Sequence, residues 1–379
     1  MSKYTRPFLD YYQENSISPV SQDISNLQAH FARREALYRH LGIIPSFLRG
    51  LTILEFGPGS GHNALYTASL SPKRYVLVDG NPTGLEETRK NLQAAKTDVV
   101  VVESLIESFS TDERFDMVMC EGVLPWQKDP ESMLRKVAEF VAPGGLLVVS
   151  CNNEISALSE SLRRLQARLI IDKSLPLLDQ AEQLKPVFRQ DLESLNGMSR
   201  PHQDWILDQI LQPFIGRCLT LENTIAALDD DYNTYCTSPH FLLDWAWYKE
   251  VPLRRMPANE FAISTIRRNN HNFLDYRVQL DPREEEGNIL LDTLARQITE
   301  DGLLFETTGE TTYLKSVRAK LSELVVQART FSPVTAESLD NFCQGLGAWL
   351  DTGSFPELTA FKPLFGRGQQ YISLIRKDR

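Results

Sequence analysis

The amino-acid sequence predicts an α/β fold, in which a mostly parallel sheet is joined to a mostly helical region. Short apolar runs alternate with helical patterns over roughly the first 150 residues, at intervals that suit the strand–helix–strand units of a parallel sheet. Beyond Cys151 the apolar residues recur at helical spacing instead. Because 379 residues exceed the usual size of one domain, we expect two structural units or one domain with a large insertion.

The start of the chain predicts a helical cap ahead of the sheet. Apolar residues recur at helical spacing from Ile24 to Leu41, so we expect a helix there. The aromatic residues within 1–20 either cover the site formed by the following segment or pack on the surface, and the sequence leaves both possibilities open. We assign residues 1–44 to this N-terminal cap.

The first strand ends in a glycine-rich turn. An apolar run that begins at Leu51 predicts a buried strand, and it is followed at once by Gly57, Gly59 and Gly61. Glycine accepts positive φ, and its missing Cβ lets a ligand lie directly on the main chain. The dinucleotide fingerprint would need its third glycine at His62, and no Lys-Ser/Thr pair follows, so a phosphate cradle is disfavoured. An ordinary strand-to-helix turn is the alternative.

The second strand ends in an acidic residue. The run from Tyr75 to Asp79 is apolar until its last position. A carboxylate at the carboxyl end of a parallel strand can accept hydrogen bonds from both hydroxyls of a ribose, so Asp79 is the predicted ribose ligand. The alternative role for Asp79 is N-cap of the helix predicted from Pro82, but Asn81 or Thr83 could cap that helix instead.

The segment Glu55-Phe-Gly-Pro-Gly-Ser-Gly61 resembles motif I of the class I S-adenosylmethionine-dependent methyltransferases. The resemblance implies a Rossmann-like sheet, parallel except for an antiparallel final strand, and S-adenosyl-L-methionine as the cofactor. It also implies that the methionine part and the ribose lie over the glycine turn, where Glu55 would hold the amino-acid end. The resemblance covers about residues 51–150.

Three further strands complete the predicted core, at Val99–Val102, Phe115–Cys120 and Leu146–Ser150, with a helix from Pro130 before the last of them. The family often has an Asp beside the adenine where this chain has Ser104. No Asn/Asp-Pro-Pro-Tyr sequence follows the fourth strand, so methylation of a nucleic acid base is disfavoured. The cofactor-binding residues implied by the resemblance are Glu55, Gly57, Pro58, Gly59, Gly61, Asp79, Gly80, Asn81, Ser104, Leu105, Cys120 and Glu121.

The remaining sequence is predicted to be mainly helical. We expect residues 45–151 to form the cofactor-binding core, 152–350 a helical substrate or lid region, and 351–379 a segment that returns to the sheet. An alternating pattern over Gln370–Ile375 predicts the antiparallel final strand, and Ser238-Pro239 resembles the start of a helix. Helical patterns lie at 155–169, 177–195, 205–214, 239–249, 289–298, 313–326 and 336–350.

Candidate catalytic residues are His202, whose imidazole could remove a proton near neutral pH, and Glu121, which follows the fourth strand. No His or carboxylate spacing predicts a metal site. Polar and aromatic clusters supply the candidate substrate contacts, which are Trp126, Asp204, Tyr235, His240 and His271.

The net charge and the composition limit the classes of partner that we expect. A net charge of -10 has the wrong sign for a protein that neutralises nucleic acid phosphates, so a small-molecule substrate is favoured. Five cysteines without C-x-x-C spacing predict neither a disulfide framework nor a zinc site, and no apolar run predicts a signal peptide or a membrane span, so we expect a cytoplasmic protein. The basic pairs are interpreted as solvated helix faces; they are Arg33-Arg34, Arg163-Arg164, Arg254-Arg255 and Arg267-Arg268.

The predicted function is transfer of a methyl group from S-adenosyl-L-methionine to an oxygen or nitrogen nucleophile of a small molecule, such as a sugar or another metabolite. An S-adenosylmethionine-binding protein without turnover, or a non-methylating enzyme on the same fold, is the alternative. A nicotinamide-dependent dehydrogenase is a further alternative, which the spacing of the glycines disfavours.

Overall fold

The computed structural model describes residues 4–6, 8–214, 216–253 and 256–378, so the predicted basic pair Arg254-Arg255 lies outside the described residues. The helices and strands are, in chain order, α1 (Leu9–Asn15), α2 (Leu27–His40), β1 (Thr52–Phe56), α3 (His62–Ser69), β2 (Arg74–Asp79), α4 (Pro82–Asn91), β3 (Asp98–Glu103), β4 (Phe115–Cys120), α5 (Pro130–Ala138), β5 (Val141–Cys151), α6 (Glu154–Ile170), α7 (Leu177–Ser194), α8 (His202–Trp205), α9 (Leu221–Leu228), β6 (Tyr232–Ser238), α10 (Ala258–Asn269), α11 (Glu285–Thr308), α12 (Thr311–Arg329), α13 (Pro333–Thr352) and β7 (Gln370–Arg376).

Within the described residues, seven strands form one sheet in the order β3-β2-β1-β4-β5-β7-β6. The strands β1 to β5 run parallel, and β7 pairs antiparallel with both β5 and β6. The antiparallel final strand is therefore confirmed. Because chain order reverses on either side of β1, its carboxyl end borders a crevice of the kind in which open α/β sheets bind ligands.

Local sequence features account for several of these strands and helices. The strands β1, β2 and β4 are nearly continuous apolar runs, as expected for strands that are covered on both faces. The helix α4 begins where the Asn81 side chain accepts a hydrogen bond from the backbone N–H of Thr83, and α5 begins with Asp129 accepting from Ser132. Proline occupies the first position of both helices, where its missing N–H costs nothing.

The prediction of a helix at 239–249 is wrong. Residues 232–238 form β6, and the chain continues after Pro239 without a regular helix or strand up to a short turn at Val251–Leu253. The aromatic and β-branched residues of β6 suit a strand, but the prediction rested on the helical spacing of the residues that follow it. The strand β6 pairs with β7, which is distant in the chain, so no local pattern near Ser238 predicts this pairing.

The chain divides into two compact units. The sheet unit contains the described residues of 2–152, 215–266 and 369–379, and the helical unit contains 153–214 and 267–368. Thus the described residues of the predicted cap 1–44 belong to the sheet unit. So do the described residues of 215–266, which the sequence assigned to the helical region. Among the described residues, no helix combines the length and apolar character that crossing a bilayer requires.

A buried arginine organises part of the helical unit. Arg163 donates to Asp191 at 2.9 Å and to the carbonyls of Lys362 and Leu364 at 2.8 Å each, and its guanidinium carbon lies 3.9 Å from the ring centroid of Phe365. The interpretation of Arg163-Arg164 as a solvated face is wrong, because both side chains are buried. A guanidinium can be buried when carboxylate and carbonyl oxygens satisfy its donors.

Candidate active site

The candidate site lies where the carboxyl ends of β1, β2 and β4 meet. Gly57, Gly59 and Gly61 all have positive φ, at 72°, 57° and 75°. A Cβ at Gly57 would lie 2.2 Å from the Val123 side chain, and one at Gly59 would lie 2.5 Å from that of Val20. Glycine is therefore needed for both the backbone conformation and the close approach of these valines.

Asp79 ties the glycine turn to the end of β2. Its carboxylate accepts hydrogen bonds from the backbone N–H of Asn81 at 2.8 Å and of Gly59 at 3.2 Å. Burial raises the pKa of Asp79, and these backbone N–H groups oppose the rise by favouring the charged form. Asn81, and not Asp79, caps α4, so Asp79 is available for a role at the strand ends.

The neighbourhood of Gly80 combines a carboxylate with apolar side chains. The side chains of Leu9 and Leu105 come within 3.0 Å and 2.9 Å of the position that a Cβ at Gly80 would take. The Asp79 carboxylate next to Gly80 can accept protons from hydroxyls, and leucine side chains suit the face of a base. Ser104, at the expected place of an adenine contact, points its hydroxyl to the carbonyl of Leu105 at 3.0 Å.

The N-terminal segment 9–22 packs against the glycine turn. Gln13 donates to the carbonyl of Gly80 at 2.8 Å, and the Asn81 amide donates to the carbonyl of Ile17 at 3.1 Å. The backbone N–H of Gln22 donates to Nδ1 of His62 at 2.9 Å. These bonds, with Val20 beside Gly59, hold the segment over the end of β2 and the turn.

Glu55 is buried beneath the turn. Its carboxylate accepts a hydrogen bond from the hydroxyl of Tyr75 on the neighbouring strand. Burial, reinforced by the nearby charge of Glu121, raises the pKa of Glu55 to about 7. The structure therefore gives this carboxylate a protein partner of its own, which the sequence did not predict.

Glu121 forms a buried ion pair with Arg34 of α2. The two guanidinium N–H groups donate to the two carboxylate oxygens at 2.9 Å and 2.6 Å, and both side chains are more than nine-tenths buried. Burial acts to lower the pKa of Arg34, but the charge and hydrogen bonds of Glu121, with Tyr38 and Tyr371 nearby, together raise it. The interpretation of Arg33-Arg34 as a solvated face is wrong for Arg34; only a long-range contact reveals its role.

The other predicted site residues are dispersed. Trp126 is buried in the loop after β4, and its backbone N–H donates to the carbonyl of Arg217 at 2.8 Å. Tyr235 and His240 lie on and just after β6, three strands from β4 in the sheet. The remaining three belong to the helical unit, namely His202, Asp204 and His271.

Of these residues, His271 has the clearest structural role. It is buried, its Nε2 lies 3.1 Å from the carbonyl of Asp281, and its ring packs edge-on against Phe331. Burial lowers the pKa of His271 to about 4.

Among the described residues, no group of His, Cys, Asp and Glu side chains could hold a metal ion. Cys120, at the end of β4, is fully buried, and burial raises the pKa of its thiol.

The strand order and the site together define a Rossmann-like domain with a ligand crevice at the reversal of chain order. Residues 54–149 match a family model described as a methyltransferase domain, and this segment contains the glycine turn, Asp79 and Glu121. The chain therefore carries a class I S-adenosylmethionine-dependent methyltransferase domain.

Known proteins share this part of the chain. A ubiquinone biosynthesis O-methyltransferase of Methylobacterium sp. (strain 4-46) is 32% identical over 124 residues, which are 32% of this chain and 49% of the relative. Methyltransferase str2 of Strobilurus tenacellus is 33% identical over 99 residues, or 26% of this chain and 34% of that protein. The chain thus spans half or less of the length of these relatives. A solved structure, N-methyltransferase NodS from Bradyrhizobium japonicum WM9 with S-adenosyl-L-homocysteine, is 20% identical with a TM-score of 0.32, covering 38% of this chain and 74% of that one.

We predict that Glu55 makes stability fall as pH rises. Its folded pKa, about 7, lies above its ordinary value of 4.5, so its contribution is fully present below pH 4.5 and is lost as pH rises through 7. Glu55→Gln keeps an acceptor for Tyr75 without a charge. Urea unfolding at pH 5 and pH 8.5 should therefore favour the variant by about 1–3 kcal/mol more at the higher pH. Parallel pH profiles would contradict this assignment.

We further predict that Arg34→Met destabilises the protein by about 3–5 kcal/mol, because it leaves the Glu121 carboxylate buried without its cation. The double variant Arg34→Met/Glu121→Leu should regain most of that loss, since no buried charge remains. Arg33→Met, at an exposed position of the same helix, is the matched control and should change the unfolding free energy by less than about 0.5 kcal/mol. Additive losses in the double variant would show that the pair is not coupled.

Proposed function

We propose that this protein is a methyltransferase that uses S-adenosyl-L-methionine to methylate an oxygen or nitrogen nucleophile of a small molecule. The observation that carries the proposal is the bond between Asp79 and the N–H of Gly59, because a carboxylate beside a glycine turn at the crevice of the sheet could accept the hydrogen bonds of a ribose. The match of residues 54–149 to a methyltransferase domain supports it. The cofactor, when bound, supplies a methyl group already activated on a sulfonium.

In this proposal, residues of the chain bind the cofactor and orient it. We assign the ribose hydroxyls to Asp79, the base to the surroundings of Gly80 with Ser104 and Leu105, and the methionine part to the main chain from Gly57 to Gly61. Pro58, Asn81 and Cys120 shape the wall of the crevice, and Glu55 supports the turn from the end of β1, where its carboxylate binds Tyr75. The segment 9–22, which already packs on the turn, excludes water from the reacting atoms.

We assign the role of general base by comparing the two candidate residues, Glu121 and His202. Both oxygens of Glu121 are taken by Arg34, so we assign Glu121 to positioning that arginine and not to proton transfer. His202, at the start of α8 and partly exposed, remains the candidate base for a hydroxyl acceptor. Trp126, Asp204, Tyr235 and His240 remain candidates for contact with the acceptor, whereas His271 is assigned to the core of the helical unit.

The acceptor class is inferred from charge and from the relatives. A net charge of -10 disfavours nucleic acid and leaves small metabolites, including sugars. The name of the Methylobacterium relative favours an oxygen nucleophile as the first to test. Isothermal titration should detect binding of S-adenosylmethionine, and S-adenosylhomocysteine should be released only when an acceptor is present. Release without an acceptor, or binding of NAD in place of S-adenosylmethionine, would overturn the proposal.

We predict that Asp79→Ala lowers the affinity for S-adenosylmethionine by about 10–100-fold, because two hydrogen bonds to a charged group are lost. Asp112→Ala removes a carboxylate from an exposed loop and should leave the affinity unchanged. Asp79→Asn keeps one acceptor oxygen and should fall between the two. Titration calorimetry measures all three, and circular dichroism verifies that each variant is folded. Equal affinities for Asp79→Ala and the wild type would remove Asp79 from the site.

A further inference from the structure

His62 stands between the glycine turn and the N-terminal segment. It is the first residue of α3, directly after Gly61, and its side chain is half-buried. Its Nδ1 lies 2.9 Å from the backbone nitrogen of Gln22 and 3.1 Å from the Ser60 hydroxyl. The cofactor contacts and the candidate base assigned above do not include this ring.

The identity of the donor fixes the protonation state of the His62 ring. A backbone N–H can only donate a hydrogen bond, so Nδ1 must accept the bond from Gln22 and carries no proton. The ring is therefore neutral in this structure, with its proton on Nε2. A second proton, on Nδ1, would turn the acceptor into a donor and place two N–H groups against each other. The bond to Gln22 and a charged ring are therefore incompatible.

The bond at Gln22 holds the C-terminal end of segment 9–22. Nearer the N-terminus, the bonds of Gln13 and Asn81 hold the same segment through amide side chains. Amides do not change charge with pH, whereas an imidazole does. Val20, two residues before Gln22, packs against the glycine turn. Loss of the bond at Gln22 would therefore loosen the part of the segment that covers this turn.

The neighbours of His62 on α2 favour the neutral ring. Burial, with the charge of the nearby His30, lowers the pKa of His62. The Nε2 of His30 lies 2.9 Å from the backbone carbonyl of His62. Burial, with the charges of Arg33 and Arg34, lowers the pKa of His30 as well. Both imidazoles are therefore neutral at neutral pH.

Uncharged groups face the turn beside His62 from α4. Thr88 and Asn91 donate to carbonyls of the glycine turn at 2.9 Å and 2.8 Å. Asp23 follows Gln22 in the chain, but its carboxylate is exposed and accepts from the backbone N–H of Ser25 at 2.9 Å. None of these groups stabilises a proton on Nδ1.

Protonation of His62 and release of the segment are coupled. A released ring regains its ordinary pKa of 6.5, whereas the pKa of the bound ring is lower. Between those two values, each unit by which the pH falls favours the released state by up to tenfold. Acid therefore releases this end of the segment, and neutral pH holds it in place.

We propose that His62 is a positioning residue, whose neutral ring seats segment 9–22 on the glycine turn and thereby strengthens cofactor binding. Protonation of Nδ1 breaks the bond to Gln22, releases that end of the segment and weakens binding. The inference rests on the proposed function, because it takes S-adenosylmethionine as the ligand of the turn. Seating of the segment is a property of the chain alone, so it can be measured without the cofactor.

Hydrogen exchange of the full chain without cofactor tests the seating. Peptides that cover residues 17–25 should be protected at pH 7.5 in the wild type and should lose protection at pH 5, after correction for the intrinsic rate. In His62→Asn the side-chain oxygen accepts in place of Nδ1 and does not titrate, so protection should persist at both pH values. His62→Leu has no acceptor and should be unprotected at both. Circular dichroism verifies that each protein is folded.

Titration calorimetry with S-adenosylmethionine tests the effect on binding. From pH 7.5 to pH 5, the wild type should lose about 2–10-fold more affinity than His62→Asn does, because only the wild type loses the hydrogen bond. Glu55 titrates in the same range, but it is present in both proteins and its effect cancels. The control His40→Asn removes an exposed histidine at the end of α2 and should keep the pH dependence of the wild type.

Two results would overturn this role of His62. One is an equal loss of protection in the wild type and in His62→Asn. The other is an equal loss of affinity in these two proteins when both bind S-adenosylmethionine at pH 7.5. If the wild type bound no S-adenosylmethionine at any pH while hydrogen exchange changed as expected, the proposed function would fall and the link between His62 and the segment would stand.

Discussion

The candidate site depends on one buried cation. Three carboxylates stand near the carboxyl ends of adjacent strands: Glu55 in β1, Asp79 as the last residue of β2 and Glu121 just after β4. Removing any of them from water would be costly without compensation. Arg34 neutralises Glu121, backbone N–H groups satisfy Asp79, and Glu55 keeps a raised pKa beside the Tyr75 hydroxyl. The helix α2 is therefore part of the site, because it carries the arginine whose positive charge compensates for the burial of Glu121.

Hydrogen bonds also join the glycine turn to the N-terminal segment. Asp79 binds Gly59, Asn81 binds the carbonyl of Ile17, and His62 accepts from Gln22. Each bond links the glycine turn or its neighbours to another part of the sheet unit. A change in any of them should disturb the same crevice, so mutations at these positions need a separate measure of folding before an effect on binding is interpreted.

The crevice is built from fixed backbone N–H groups and buried carboxylates, which favour a polar ligand with defined geometry. It belongs to the sheet unit, whereas the buried Arg163 cluster stabilises the helical unit.

Sequence alone determined the strands β1 to β5, β7, the glycine turn and the position of Asp79, because buried parallel strands and tight turns leave local patterns of apolar runs and glycine. It did not reveal β6, the partner of Glu55 or the burial of Arg34 and Arg163. The local sequence around an arginine in a helix does not show whether a carboxylate from a distant part of the chain will pair with it. Only the tertiary structure decided those contacts: they join residues as far apart as 34 and 121, and their energy comes from burial, which exists only in the folded chain.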